Sequence, residues 1–198
     1  MSATSANWGV SVPMKKTKRV WLSAILALAV ALTGIALVAA EAKAGSFDHR
    51  PPNAVLMKGS QALQEAKVGS NCWNYYDGGW LGRCVDKLYS FPRAEVVRAD
   101  SRLHIKIAKP QRPERFAIYS YKGFDREQMW PIGQARRLDT TLRRVERDGK
   151  TVAWNVFFRV DQPDRHYYLD TFGMWKEVPG THISYGDVSW TFHVKTAD

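Results

Sequence analysis

Apolar residues recur at every second position in several separate runs, each bounded by turn-forming residues. A period of two is the signature of half-buried strands. Leu103, Ile105 and Ile107 alternate with Arg102, His104 and Lys106. Val152, Trp154, Val156, Phe158 and Val160 alternate with Ala153, Asn155, Phe157 and Arg159. The runs His166 to Trp175 and Val188 to Val194 repeat the pattern. Asp148-Gly149 is the strongest hairpin signal and follows Leu138 to Leu142, while Asp77-Gly78-Gly79 joins Asn71–Tyr76 to Leu81–Asp86. Ala54–Met57, Glu95–Arg98 and Phe116–Tyr121 complete the set, the last resuming after Pro110 and Pro113. Apolar parity changes near Val145, which predicts a register shift there. Ser60 to Lys67 fits a short helix as well as a strand. No amphipathic pattern exceeds about two turns. About eight or nine short strands predict an all-β sandwich, filled by eight Trp, eight Tyr and eight Phe.

A second feature constrains where such a fold works. Lys15, Lys16, Lys18 and Arg19 end a polar stretch, 1–19, and Val20 to Ala40 then runs without a charge. At 1.5 Å per residue this span reaches roughly 30 Å, enough to cross a bilayer as a helix. The preceding cations should stay cytoplasmic and place the C-terminus outside. Two fates fit. The length favours a retained, single-pass anchor. Ala42-Lys43-Ala44-Gly45 has the A-x-A pattern of a cleavage site, which would release the rest as a secreted protein. A tether over 41–52 containing Pro51-Pro52 then leads to an extracytoplasmic domain over 53–198.

The two cysteines, Cys72 and Cys84, both lie beyond the span. They read as a disulfide in an oxidising compartment that staples the Asp77-Gly78-Gly79 hairpin across its arms. Their spacing is too wide for a C-x-x-C redox motif. The chain carries a formal charge of +10, of which +6 remains from Gly45 onward. A basic balance favours anionic partners such as phospholipid, wall polymer or nucleic acid. Export removes the domain from nucleic acid, leaving the membrane, an envelope polymer or a membrane protein as expected partners.

Several stretches carry a resemblance. They are Pro52-Asn53-Ala54-Val55, Gly69-Ser70-Asn71-Cys72-Trp73, Phe91-Pro92, Lys109-Pro110, Arg165-His166-Tyr167-Tyr168-Leu169 and Gly186-Asp187-Val188-Ser189-Trp190-Thr191-Phe192-His193-Val194. With these the chain resembles a group of secreted or membrane-anchored proteins of unknown function from Gram-positive bacteria, chiefly actinobacteria. That group has Tyr where this chain has Asn71. The closing pair of strands is similar to the last two of bacterial immunoglobulin-like domains. The resemblance implies an immunoglobulin-like antiparallel β-sandwich, preceded by one N-terminal hydrophobic helix, and an extracytoplasmic life. It implies no activity.

Three groups of residues are candidate sites. Trp73, Tyr75, Tyr76 and Trp80 decorate the stapled hairpin, and aromatics on a rigid loop could stack on sugar rings or enter a membrane interface. Alternation places Trp73 and Tyr75 on one face and Tyr76 on the other. Among the arginines at 136, 137, 143, 144 and 147, strand alternation lets Arg137 and Arg143 share an outward face, with Arg147 and Lys150 at the turn. They form a candidate anion patch or a solvated, charged strand edge. His166, Tyr168 and Asp170 share a strand face, but His166 and Asp170 stand about 13 Å apart, too far to ligate one metal. The motifs G-x-S-x-G, H-E-x-x-H, G-x-x-x-x-G-K-[ST] and G-x-G-x-x-G are absent. No catalytic residue, cofactor or metal is therefore expected. The sequence predicts a non-enzymatic binding module at the cell envelope, for an anionic or glycan polymer. A structural spacer or partner domain in a membrane complex is the alternative, and a hydrolase with an unrecognised site a weaker one.

Overall fold

A computed structural model describes residues 50–198. The expected helix over 20–40, the cleavage pattern at Ala42–Gly45 and most of the tether lie outside the described residues. Those described contain fourteen strands and no helix. In chain order these are β1 (Ala54–Lys58), β2 (Gln61–Glu65), β3 (Lys67–Tyr76), β4 (Trp80–Val85), β5 (Glu95–Arg98), β6 (Ser101–Ile107) and β7 (Arg115–Tyr121). There follow β8 (Gly123–Asp125), β9 (Trp130–Ile132), β10 (Arg136–Arg137), β11 (Thr141–Arg147), β12 (Lys150–Val160), β13 (His166–Trp175) and β14 (Tyr185–Ala197). The strands beyond the expected eight or nine include β2, β8, β9 and β10. Each is only two to five residues long, too short for alternation to declare it. The ambiguous stretch at Ser60–Lys67 is extended, forming β2 and the start of β3.

Two main sheets form. The first runs β11-β12-β6-β1-β2, and the second runs β10-β7-β13-β14-β3-β4. All neighbours in both are antiparallel except β5, which joins β14 in parallel over Val194–Ala197. Glu95–Arg98 and Ser101–Ile107, adjacent in sequence, therefore belong to different sheets. The turn between them passes through Asp100 at φ 59°. β8 and β9 make a small separate hairpin.

One core cluster draws on both sheets. Leu56, Leu103, Ile105, Ile107, Val156 and Phe158 come from the first, and Ile118, Leu169, Trp175, Val188, Trp190 and Phe192 from the second. Apolar faces meeting across two sheets are consistent with a β-sandwich. Buried indole N–H groups find backbone acceptors: Trp190 Nε1 donates to Pro52 O at 3.1 Å and Trp175 Nε1 to Gln111 O at 3.0 Å. An unpaired donor there would cost about 1–3 kcal/mol. Gly173 lies against the Trp175 and Trp190 rings, with no room for a Cβ between them.

The predicted register shift falls between Val145 and Glu146. Val145 pairs with Ala153 and Glu146 with Thr151, so Val152 is the unopposed residue. It is 39% exposed. This corrects the inward position expected for it from alternation with Val156. His104 faces away from the core as expected but is 7% exposed, because the Phe157 ring covers it at 4.8 Å between centroids.

At Ala66 the chain steps from the first sheet into the second. Ala66 N donates to Ala54 O as β2 ends, and β3 begins at the next residue to pair with β14. β3 and β5 line the same edge of β14 one after the other, leaving a gap at His193. The side chain of Gln64, 8% exposed, fills that gap. Its Oε1 accepts from His193 N at 2.9 Å, and its Nε2 donates to His193 O at 3.3 Å and to Arg93 O at 2.6 Å. A side-chain amide thus replaces a strand's peptide group.

Candidate functional site

The stapled hairpin is β3–β4. Cys72 and Cys84 sit directly opposite each other in its register, with their sulfurs 2.14 Å apart in a disulfide. β4 is the edge of its sheet and is exposed along nearly its whole length, so the disulfide ties an otherwise weakly held strand to β3. On the other side β3 meets β14, where Gly186 at φ 139° lies against the Cys72 carbonyl with no room for a Cβ.

The hairpin aromatics divide. Trp73 is 2% exposed, packs edge-on against Trp175 at 5.7 Å, and lies under the Lys109 ammonium at 5.0 Å. It is a core residue, out of reach of a ligand. Tyr75, on the same face, is half-buried against the core. Tyr76, Trp80 and Leu81 are exposed at 36%, 41% and 47%. The Trp80 ring meets Tyr76 at 5.8 Å and Tyr185 at 5.2 Å, both edge-on, and Tyr76 meets His182 at 3.8 Å. The β13–β14 connection, which carries His182, thus buttresses the hairpin. The result is an aromatic ledge whose side chains hold one another in place, presenting flat apolar surface to solvent.

The arginines do not form one strand face. Arg137 is on β10, opposite Tyr119 in the second sheet, whereas Arg143 is on β11 in the first. Residues 138–140 between them leave one sheet and enter the other, which alternation along a single strand could not reveal. Arg143 lies 5.5 Å from the Phe157 ring, and Arg147 ends β11 at the hairpin turn. Arg144 pairs with Glu146 at 3.0 Å and Arg136 with Asp161 at 2.7 Å. The hydrogen bond from Arg136 holds the Asp161 carboxyl below its ordinary range.

A third cluster lies on the outer face of the second sheet. The segment 86–94 crosses that face, with Tyr89 Oη donating to Asp170 Oδ2 at 3.1 Å. Phe91 stacks edge-on against Tyr168 and Phe124. His166 on β13 and His193 on β14 meet at 2.9 Å between Nδ1 and Nε2. His193 Nδ1 lies 3.2 Å from Pro92 O, which can only accept. In the neutral pair His193 therefore donates from Nδ1 and accepts at Nε2 from His166. Burial pushes His193 below the usual histidine range, and nearby His166 and Arg126 add to this. Burial raises the Asp170 carboxyl to about 6 and also raises the Tyr89 phenol. A cavity of about 590 Å³ opens beside the histidines, walled by Phe91, Phe124 and Tyr168. Among the described residues no group of three His, Cys, Asp or Glu could hold a metal ion. The sequence signal for this cluster was the outward position of His166 and His193 on alternating strands. Only the β13–β14 register, with Tyr168 opposite His193, brings the two imidazoles together.

No family model, curated protein or solved structure matches the chain.

Proposed function

We propose that the chain is an extracytoplasmic, non-enzymatic binding module that holds a glycan polymer of the cell envelope on the aromatic ledge of the stapled hairpin. The observation that carries this is the exposure of Trp80, Tyr76 and Leu81 on an edge strand fixed by a disulfide. Flat aromatic rings match the apolar faces of pyranose rings, and a rigid loop loses little entropy on binding. Location outside the cytoplasm is supported by the uncharged span Val20–Ala40 behind a cluster of cations, and by the use of both cysteines in a disulfide.

The immunoglobulin-like reading of the fold belongs to this proposal. The order β11-β12-β6-β1 reproduces the D-E-B-A sheet of such domains, and β7-β13-β14 the C-F-G sheet. Tyr167, second residue of β13, supports it further. Its hydroxyl accepts from Asp161 N at 3.1 Å and Gln162 N at 2.8 Å, a tyrosine corner at the E–F turn. On this reading β2, β3 and β4 are an insertion after the first strand, and the ledge sits on the insertion.

The test is co-sedimentation of the full chain, in non-ionic detergent, with insoluble cell-wall polysaccharide. Trp80→Ala should lose most of the sedimented protein while still unfolding cooperatively, with a midpoint lowered far less than that of Trp73→Ala. Trp73→Ala should instead lower stability by about 3–5 kcal/mol, the cost of emptying a buried aromatic site. Undiminished sedimentation of Trp80→Ala would refute the reading.

A further inference from the structure

The outer face of the first sheet breaks a rule of sheet stability. Arg102 on β6 and Arg159 on β12 are directly opposite each other in the antiparallel register. Like charges in that position repel at about 5 Å and destabilise the pair. Both side chains are exposed, and among the described residues neither is in an ion pair with a carboxylate. The Arg102 guanidinium rests 4.5 Å from the Phe157 ring centroid, and Arg143 approaches the same ring at 5.5 Å. Two guanidiniums thus converge on one aromatic platform, and Arg159 stands directly opposite the first of them in the register.

The platform is the floor of a cleft of about 510 Å³, lined also by Thr140 and Thr141. Two carboxylates reach the cleft, and both act on Arg136. Asp161 is hydrogen-bonded to it, and Asp139 also stabilises its charged form. That leaves Arg102 and Arg159, among the described residues, without a carboxylate partner: Arg159 donates to the Asp100 carbonyl at 3.5 Å, and Thr140 and Thr141 line the same cleft. His104, opposite Phe157, is held below its usual range by burial, with Lys106 and Arg102 contributing. The cleft lining itself carries Arg102, Arg136 and Arg159 against Asp139 and Asp161, a net positive balance.

We propose that this cleft is an oxyanion site that takes a phosphate group, bridged by the Arg102 and Arg159 guanidiniums over Phe157. Guanidinium forks match phosphate oxygens bidentately, and charge-assisted bonds of this kind are the strong ones. A bound dianion would turn the Arg102–Arg159 repulsion into a shared attraction. The inference does not rest on the aromatic ledge, and each site can fail without the other.

The experiment is a titration of the full chain, in non-ionic detergent at low ionic strength, with inorganic phosphate. Binding is read by calorimetry and by thermal unfolding, and potassium chloride at matched ionic strength is the control. Phosphate should raise the unfolding midpoint of the wild type above the chloride control. Arg159→Ala and Arg102→Ala should each weaken phosphate binding at least tenfold. Arg159→Ala should also raise the midpoint without phosphate, because it removes the repulsion. Phosphate binding unchanged in both variants, or no difference between phosphate and chloride in the wild type, would overturn the proposal.

Discussion

Replacing Gln64 by Ala tests the idea that one side chain completes the edge of β14. The amide makes three hydrogen bonds in a nearly solvent-free site: one accepted from His193 N and two donated, to His193 O and Arg93 O. Each buried bond of this type contributes roughly 1 kcal/mol net, and a buried N–H left unpaired costs about 1–3 kcal/mol. The loss expected for Gln64→Ala is therefore about 3–4 kcal/mol. At about 2–4 °C per kcal/mol for a domain of this size, the midpoint should fall by roughly 10 °C. Urea unfolding followed by tryptophan fluorescence measures the free energy directly, and its slope reports whether the native state stays compact. Gln64→Glu sharpens the test. At neutral pH its carboxylate has no donor for the two carbonyls and faces them with negative charge, so it should be worse than Ala. Protonation restores one donor, and because burial beside two carbonyls favours the protonated form, the deficit should shrink as pH falls from neutral towards about 4. A cost under about 1 kcal/mol for Gln64→Ala, or wild-type stability for Gln64→Glu at pH 7, would refute the reasoning.

Two further perturbations probe the same framework. Tyr167→Phe removes the hydroxyl that accepts from Asp161 N and Gln162 N and donates to Asp161 Oδ1 at 3.0 Å, and should cost about 2–3 kcal/mol in urea unfolding. Asp170, raised by burial to about 6, binds its proton more tightly folded than unfolded, so its contribution falls as pH rises from about 4 to 6. Above that window the ionised group costs at most about 3 kcal/mol, by the size of the shift. Asp170→Asn should therefore stabilise the domain at pH 7, leave it little changed at pH 3.5, and flatten the profile between. A variant less stable than wild type at pH 7 would show that ionised Asp170 is a favourable partner of Tyr89.

Alternation was informative where one face is buried and the other is wet. Leu103, Ile105 and Ile107 read directly as core, the His166–Trp175 run matched β13 residue for residue, and the parity change at Val145 located the bulge. It was uninformative where pairing is brief, as in β8 to β10. It misled where the chain changes sheets, and so grouped Arg137 with Arg143. The hairpin aromatics were visible as a group, but which were core was not. Burial of Trp73 and exposure of Trp80 follow from β3 lying inside its sheet and β4 at the edge, a tertiary fact. The same holds for the Arg102–Arg159 pair. Each residue is an ordinary outward arginine in its own strand, and only the β6–β12 register sets them face to face.

The step at Ala66 has a consequence for how the chain acquires its shape in time. β1 and β2 pair through a short turn and can do so as soon as they are made. β3, which follows with no spacer beyond Ala66, must wait for β14. Ser189 Oγ donates to Ser70 O across 119 residues. Long-range pairings of this kind close late and slow the search for the native state. Until the last strands arrive, Trp73 and β3 lack the Trp175 ring and the β14 edge against which they pack in the folded domain. Formation of the Cys72–Cys84 bridge before that moment would hold β3 and β4 as a preformed ribbon, with one edge already occupied and the other free for β14. A bridge formed that early would act on the unfinished chain first, shielding one edge of β3 during its wait, and on the finished domain afterwards.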